Sequence, residues 1–226
     1  MEHYSALIYC PSGGGKTVNT TLVEAPNRGK NLLLCSDNSH VVLNNFDRPN
    51  LEIKTVEHWL DKDKYGKAYD TYFVKQFDEA IDSEKYDNII VDNISDIFDM
   101  AILEFDEIGK IKDPRQYYQL VYQGLKRLAR KAAQVKCNVI FTAWTDLQYI
   151  TTPEGEQVLR NQPKLPNKIL DNFLGLTQIV GYVNTAKDKA GNKRWYYALE
   201  GSPALYAKDQ VFNRKHCTPE KLFNNK

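Results

Sequence analysis

SALIYCPSGGGKT, residues 5–17, joins an apolar run to three glycines, a lysine and a threonine. Glycines let a backbone wrap closely around a phosphate, a following lysine neutralises the phosphate charge, and a threonine hydroxyl binds Mg²⁺. A helix that begins directly after the glycines points its free N–H groups at the same anion. The stretch therefore predicts a buried strand over Ser5–Cys10, a phosphate loop, and a helix over residues 17–25.

The predicted phosphate loop consists of Ser12, Gly13, Gly14, Gly15, Lys16 and Thr17. It departs at one place from the usual pattern G-x-x-x-x-G-K-[ST], because Cys10 occupies the position of the first glycine. Cysteine is small enough to keep the bend from strand to loop feasible. The alternative is a glycine-rich surface turn, but the position directly after the first apolar run favours the phosphate loop. ATP and Mg²⁺ are the expected ligands.

Further apolar runs alternate with segments of helical periodicity along the chain. Buried strands are predicted for Asn31–Cys35, Asn88–Asp92 and residues 138–142, with weaker strand candidates at residues 41–43 and 51–54. Helices are predicted for residues 69–81 and 114–135. Continuous apolar strands that alternate with helices are typical of a mainly parallel sheet covered on both faces, so the expected fold is α/β.

The character of the sequence changes after Thr142. Residues 148–160 indicate a strand pair around Pro153. Residues 176–184 and 194–200 flank a lysine-rich turn and predict an antiparallel hairpin near the C-terminus. No segment between these elements has the composition of a linker, so a single domain over residues 1–226 is expected.

An acidic residue is also needed for the metal, at the end of a neighbouring buried strand. Asp92 closes the run NIIVD and is expected to bind Mg²⁺ together with Thr17. The next residue is Asn93 rather than a glutamate, so no catalytic base stands directly after the metal ligand. The alternative is a structural role, in which Asp92 caps the segment that follows.

Composition limits the remaining function classes. The 226 residues carry 30 Lys and Arg against 29 Asp and Glu, so net charge gives no case for nucleic-acid binding and any basic surface must be local. The four cysteines lack the spacing of a metal site and are expected to be reduced and buried. No apolar run is long enough to span a membrane and no secretory signal is visible, so a cytoplasmic protein without membrane contact is expected.

The order of these motifs resembles a known family. The motifs follow one another as in the RecA-type core of recombination ATPases. Their order is phosphate loop, apolar strand, NIIVDNISDIF, long helix, NVIFTAWTDLQ and a hairpin ending in EGSPALYAKDQVF. From about Tyr4 to Phe212 the chain is more closely similar to short P-loop proteins of phages of Gram-positive bacteria. Some of these are regarded as reduced RecA-like single-strand annealing proteins.

What the resemblance implies is an ATP-binding phage protein that acts on single-stranded DNA in recombination or annealing. It implies ATP hydrolysis that is slow and stimulated by DNA, and assembly into a homo-oligomer or filament. It further implies a phage single-strand binding protein as a partner, and the cytoplasm of the bacterial host as the location.

The resemblance also assigns roles at the phosphate site. Lys16 and Asp92 are expected to be catalytic, and Asp37 is expected to be the base, since it stands at the strand end where RecA-type enzymes carry a glutamate. Those enzymes have a sensing Asn-Gln pair where this chain has Ala143 and Trp144. Both departures imply slow hydrolysis without affecting nucleotide binding.

Two DNA-binding loops are implied as well, over residues 97–116 and from Thr142 to about Lys168. Proteins that bind single strands combine cations with aromatic stacking surfaces. The candidates are Lys112, Arg115, Tyr149, Arg160, Lys164 and Lys168. Ordinary solvated loops are the alternative, and the acid Asp113 weakens the case for the first loop.

The lysine-rich turn carries Lys187, Lys189, Lys193 and Arg194. In RecA-like filaments, cations from one subunit reach the γ-phosphate of its neighbour, and the resemblance implies such a role for one of these four. An exposed charged turn without a function is the alternative.

Two other function classes stay open. A small-molecule kinase shares the phosphate loop but usually carries an arginine-rich lid, whereas the arginines that follow Asp92 here are spread along the chain. A nucleotide-gated scaffold or partner-loading protein without useful catalysis is the second class, because the base and sensor positions depart from the RecA pattern.

Overall fold

A computed structural model describes residues 3–60, 72–108 and 113–224 of the chain. Its first half contains β1 (Ser5–Cys10), α1 (Lys16–Thr20), β2 (Asn31–Cys35), β3 (Leu51–Thr55), α2 (Tyr72–Asp82), β4 (Asn88–Asp92) and α3 (Ile94–Ile108). Its second half contains α4 (Pro114–Ala132), β5 (Asn138–Thr151), β6 (Gln157–Pro163), α5 (Asn167–Leu176), β7 (Ile179–Lys187), β8 (Lys193–Ala198), β9 (Lys208–Asp209) and β10 (His216–Cys217). Two 3₁₀ helices, Asn38–Asn45 and Pro219–Lys221, complete the set.

One sheet organises the described residues, with the strand order β10-β8-β7-β1-β5-β4-β2-β3. All pairings from β3 to β7 are parallel, and β8 then adds antiparallel to β7 and β10 to β8. The predicted α/β fold, a mainly parallel sheet flanked by helices with a C-terminal antiparallel hairpin, is confirmed.

Both faces of the central strands are covered. On one face, Leu7, Leu32 and Val91 pack with helices α2 to α5. On the other face, Ile8 and Leu33 pack with the turn after α1 and with the C-terminal residues. Two-sided burial explains why these strands are continuous apolar runs without alternation.

A row of asparagine side chains joins three neighbouring strands at their amino ends. Asn31, Asn88 and Asn138 are the first residues of β2, β4 and β5 and lie side by side in the parallel register. The amide of Asn138 donates to Asn88 Oδ1 over 2.9 Å, and that of Asn88 donates to Asn31 Oδ1 over 2.7 Å. Asn31 Nδ2 in turn donates to the Val23 carbonyl over 2.9 Å, which ties the row to the segment after α1.

Two local predictions in the first half are wrong. The helix expected over residues 17–25 ends at Thr20, because hydroxyls bond back to the backbone: Thr20 Oγ1 donates to the Lys16 carbonyl and Thr21 Oγ1 to the Val18 carbonyl. The strand expected at residues 41–43 lies inside the 3₁₀ helix Asn38–Asn45, which the Asp37 side chain caps at the backbone N–H of Ser39. The strand at residues 51–54 is confirmed as β3.

The segment expected to form the first DNA-binding loop, residues 97–116, is mostly helical rather than a loop. Helix α3 covers Ile94–Ile108, and α4 begins at Pro114. Ile97, Ala101 and Phe105 recur at helical spacing and are buried in the core, so packing fixes this segment as a helix. Lys112 lies outside the described residues, as do positions 69–71 of the helix expected over residues 69–81.

The region after Thr142 differs most from the expected second loop. Strand β5 continues to Thr151 and turns back as β6, so the predicted strand pair is confirmed and is longer than expected. Residues 145–163 form a two-stranded ribbon, which we call the arm. Helix α5 follows the arm and was not predicted, although Ile169, Leu170 and Phe173 have helical spacing and are buried.

Two compositional expectations can be compared with the structure. Cys10, Cys35, Cys137 and Cys217 are all buried, and none is in a disulfide. Within the described ranges, no helix combines the length and the hydropathy that crossing a bilayer requires.

Gly124 of α4 tests the packing of this core. A Cβ added there would lie 2.8 Å from Cζ2 of Trp59, a ring that is 1% exposed and has no room to move. We expect Gly124→Ala to lower the free energy of unfolding by up to about 2 kcal/mol, since overpacking costs about 1–3 kcal/mol and helix propensity offsets about 1 kcal/mol. Denaturant unfolding would measure the difference.

Gly175→Ala is the matched control for this prediction. Gly175 also lies in a helix, α5, but nothing stands within 4 Å of an added Cβ. This substitution is expected to be neutral or stabilising by up to about 1 kcal/mol. Equal effects of the two substitutions would contradict the contact with Trp59.

Candidate functional site

The segment between β1 and α1 has the backbone of a phosphate-binding loop. Gly13 and Gly15 have φ angles of 73° and 92°, in the left-handed region that favours glycine. Gly14 has no space for a side chain, since an added Cβ would lie 2.5 Å from Cys10 Sγ and 3.0 Å from the Pro11 carbonyl oxygen. Cys10 therefore fills the space beneath the loop, and the chain closes around it.

Lys16 spans this loop from the first residue of α1. Its side chain is largely buried, at 7% exposure. Nζ donates to the carbonyl oxygens of Cys10, at 3.1 Å, and of Pro11, at 3.3 Å. The loop thus holds one positive charge beside its own backbone, where a phosphate would need it.

The carboxylate of Asp92 is the centre of the site and is 1% exposed. Oδ2 accepts hydrogen bonds from Thr17 Oγ1, at 2.5 Å, and from Ser39 Oγ, at 3.2 Å. Oδ1 accepts from Thr142 Oγ1 of β5. Burial raises the pKa of the Asp92 carboxyl group, and the hydrogen bonds from Thr142 and Thr17 oppose that shift.

Residues present at the site fit Mg²⁺ bound to ATP. Thr17 and Asp92 offer oxygen ligands side by side, and magnesium prefers oxygen. Among the residues that the structure describes, no group of three His, Cys, Asp or Glu side chains could hold a metal. A metal at Thr17 and Asp92 would therefore complete its shell with phosphate and water, as Mg²⁺ does in P-loop proteins.

Asp37 is brought to this site, as predicted, but both of its oxygens already have partners. Oδ1 accepts from the Ser39 backbone N–H and Oδ2 from Asn93 Nδ2, each at 3.0 Å. Asn93 is 1% exposed, and its Oδ1 accepts from the backbone N–H of Asp96. Asp37 is therefore linked through Asn93 to the turn that follows Asp92.

Sequence reasoning missed several polar residues of the site. Ser39 and Thr142 bind the Asp92 carboxylate, and Asp96 places a second half-buried carboxyl group nearby. Burial raises the pKa of the Asp96 carboxyl group, while the Ser36 side chain lowers it. Their position in the sequence could have identified them as site residues, because all of them lie at or just beyond the carboxyl end of a parallel strand.

Trp195 of β8 was also missed and lies against the phosphate loop. Its Nε1 would be 3.2 Å from a Cβ added to Gly15. Lys193 Nζ stands 5.6 Å from the centre of the Trp195 ring. The C-terminal hairpin thus contacts the loop at its base, and its turn extends outward with Lys187, Lys189 and Lys193 exposed and Arg194 bonded to Asp188.

The arm carries two of the predicted DNA-binding residues, on opposite faces. Tyr149 is 75% exposed and shares its face with Leu147 and Leu159. Arg160 pairs with Gln148 on the other face, and its guanidinium carbon lies 5.7 Å from the Tyr206 ring centre. Tyr149 and Arg160 therefore do not form one surface.

The other predicted cations are dispersed. Lys164 sits at the base of the arm, 5.0 Å from the Trp144 ring centre and 3.8 Å from Asp99 Oδ2. Lys168 is exposed in the first turn of α5, and Arg115 at the start of α4 bonds to Asp113. Of these three cations, Lys164 directly follows β6, whereas Lys168 and Arg115 lie on helices outside the arm.

Gly14→Ala tests the fit of the phosphate loop. The added methyl group would meet Cys10 Sγ, so we expect the affinity for ATP to fall by roughly 5–150-fold, equivalent to about 1–3 kcal/mol of overpacking. Combining it with Cys10→Gly removes the clashing atom and should restore part of the affinity relative to Cys10→Gly alone. If a double-mutant cycle showed no coupling energy between positions 10 and 14, the contact between Cys10 and Gly14 would be contradicted.

Asp92→Asn tests the metal site while keeping the volume of the side chain. The amide cannot replace a carboxylate beside Mg²⁺, so we expect Mg²⁺-dependent ATP turnover to fall by about 100-fold or more. Nucleotide binding without metal should change far less, because the loop and Lys16 remain. Equal losses in both assays would assign Asp92 a structural role.

Comparison with known proteins identifies the family of the chain. Residues 2–211 match the protein family described as AAA domain. No curated protein matches the sequence. Among solved structures, the chain is similar to the KaiC-like protein PH0186 from Pyrococcus horikoshii OT3, with 10% identity and a TM-score of 0.44 over 86% of this chain and 77% of that one. The chain therefore belongs to the AAA family of P-loop ATPase domains.

Proposed function

We propose that this ATPase domain binds and slowly hydrolyses Mg-ATP, and that the nucleotide controls its binding of single-stranded DNA in phage recombination or annealing. One observation carries the proposal. Strand β5 places Thr142 against the Asp92 carboxylate and then continues without interruption into the exposed arm. A strand that touches both the nucleotide site and a surface aromatic side chain is a direct route between the two.

At the nucleotide site, each residue has a proposed role. Bound Mg-ATP supplies a γ-phosphoryl group that can be transferred to water. The backbone from Ser12 to Gly15 and the Lys16 ammonium group hold the phosphates, and Thr17 and Asp92 hold the metal. Asp37 orients the attacking water, and its existing bonds to Ser39 and Asn93 agree with slow turnover.

At the arm, the proposed partner is the base of a single strand. Tyr149 offers a solvent-exposed ring, and Leu147 and Leu159 extend the apolar surface beside it. Stacking of this kind tolerates any base sequence. Lys164 at the base of the arm would meet phosphates, with contributions from Lys112, Arg115, Arg160 and Lys168 where the strand passes them.

We further propose that the chain assembles into an oligomer or filament. The C-terminal hairpin rests on the phosphate loop through Trp195, and its turn carries exposed lysines. A neighbouring subunit could receive one of these cations at its γ-phosphate. A phage single-strand binding protein remains the proposed protein partner.

A second candidate function is favoured by the same arm. Its exposed face is apolar at Leu147, Tyr149 and Leu159, and such a strip also fits a protein. The chain would then be a nucleotide-gated scaffold or partner-loading protein.

Titration of labelled single-stranded DNA tests the proposal. We expect an ATP analogue to increase the affinity for single-stranded DNA by about 5–150-fold relative to the affinity measured without nucleotide or with ADP. Tyr149→Ala should weaken binding by about 5–150-fold, because each stacked base is worth about 1–3 kcal/mol. Binding should also weaken with salt.

Two control variants complete this test. Lys16→Ala should remove the response to nucleotide, while Tyr196→Ala, a change of the same type on β8 and off the arm, should leave DNA binding unchanged. Superimposable DNA titration curves without nucleotide, with ADP and with the ATP analogue would refute the proposal that the nucleotide regulates DNA binding. If no DNA binding were detected at any salt concentration, the DNA-binding function would be refuted and the scaffold or partner-loading function would be favoured.

A further inference from the structure

The arm is held at its base by two buried side chains, Tyr9 on β1 and Ser95 in the first turn of α3, the helix that follows β4. β5 lies between β1 and β4 in the sheet and extends beyond both. We propose that Tyr9 and Ser95 are positioning residues that brace the arm against the two walls of the nucleotide site, so that nucleotide binding changes the mobility of the arm. The inference rests on the Mg-ATP binding of the proposed function but not on nucleic acid.

Tyr9 forms the brace on the phosphate-loop side. It is the residue before Cys10 and is 0% exposed. Its hydroxyl donates to the carbonyl oxygens of Asn161, at 3.0 Å, and of Tyr206, at 2.7 Å. Asn161 belongs to β6, the returning strand of the arm, where it pairs with Leu147. Burial raises the pKa of the Tyr9 phenol, so this group stays a neutral donor.

Ser95 forms the brace on the metal side. It stands three residues beyond Asp92 and is 2% exposed. Its Oγ donates to the Lys164 carbonyl over 2.8 Å and accepts from the Trp144 backbone N–H over 3.1 Å. The backbone N–H of Lys164 also donates to the Trp144 carbonyl over 2.7 Å. One hydroxyl thereby fastens both strands of the arm at the point where it leaves the sheet.

Both braces lie next to segments that would contact the nucleotide in the proposed function. Tyr9 is covalently next to the loop that receives the phosphates, and Ser95 follows the Asp92–Asn93 turn, which Asn93 ties to Asp37. Beyond the braces, residues 145–151 extend for about 20 Å at roughly 3.3 Å per residue. A small displacement at either brace is therefore enlarged toward the exposed end that carries Tyr149.

Hydrogen–deuterium exchange of the arm amides tests this inference without nucleic acid. The full chain would be measured alone, with ADP and Mg²⁺, and with a slowly hydrolysed ATP analogue and Mg²⁺. We expect the analogue to slow exchange of residues 145–163 in the wild type by about fivefold or more, as expected for coupled sites. Tyr9→Phe and Ser95→Ala should each lose most of that response while binding the analogue with affinity within about twofold of wild type.

The chain offers a matched control for each variant. In the described part of the chain the Tyr197 hydroxyl is fully buried without a hydrogen-bond partner, so Tyr197→Phe removes the same atom without removing a brace. Ser5 is 1% exposed and bonds to Gln178 at the opposite end of β1, so Ser5→Ala removes a buried hydroxyl far from the arm. Both controls should respond as the wild type does. If Ser95→Ala does not fold, Ser95→Cys keeps the size and weakens the bonds.

Several outcomes would separate this inference from the proposed function. Equal exchange of the wild-type arm in all three states would overturn the inference. It would also be overturned if Tyr9→Phe and Ser95→Ala responded to nucleotide as their control variants do. A nucleotide-responsive arm without DNA binding would support the inference and refute the role in recombination. DNA binding that nucleotide modulates in Ser95→Ala and Tyr9→Phe as in wild type would refute the braces alone.

Discussion

Burial of the Asp92 carboxylate constrains the rest of the structure. Removing an ionised carboxylate from water costs several kcal/mol unless hydrogen bonds and charges compensate. Here the compensation comes from hydroxyls on three separate elements: Thr17 on α1, Ser39 on the segment after β2, and Thr142 on β5. The site can exist only if the phosphate loop, β2 and β5 all surround the end of β4.

The same constraint links the nucleotide to the arm. Thr142 and Tyr149 belong to one strand, so the residue that binds the Asp92 carboxylate and the exposed tyrosine of the arm share a backbone. The family supports nucleotide binding at the site, and in the proposed function the arm carries the response to the nucleotide.

Sequence alone predicted what depends on neighbours along the chain. The central strands and the glycine loop follow from apolar runs and from local backbone requirements, so SALIYC, NLLLC and NIIVD were placed correctly. Ser39 and Thr142 could not be assigned, because their partner Asp92 becomes their neighbour only through the strand order. Helix α3 was predictable from the spacing of Ile97, Ala101 and Phe105. It was not predicted, because the resemblance to a RecA core implied a loop at this position. The placement of Tyr149 and Arg160 on opposite faces depends on the register of the strand pair, which was not predicted.

The asparagine row has a consequence for how the sheet avoids errors during folding. Strands β2, β4 and β5 are apolar on both faces, so a slip of one residue would still bury apolar side chains and hydrophobicity alone would barely oppose it. Such a slip would strand the amides of Asn31 and Asn88 among apolar groups, at about 1–3 kcal/mol for each unsatisfied group. The row is therefore expected to favour the observed register over a register shifted by one residue. By levelling the amino ends of the strands, it also brings Asp92 and Thr142 to the same height at the other edge.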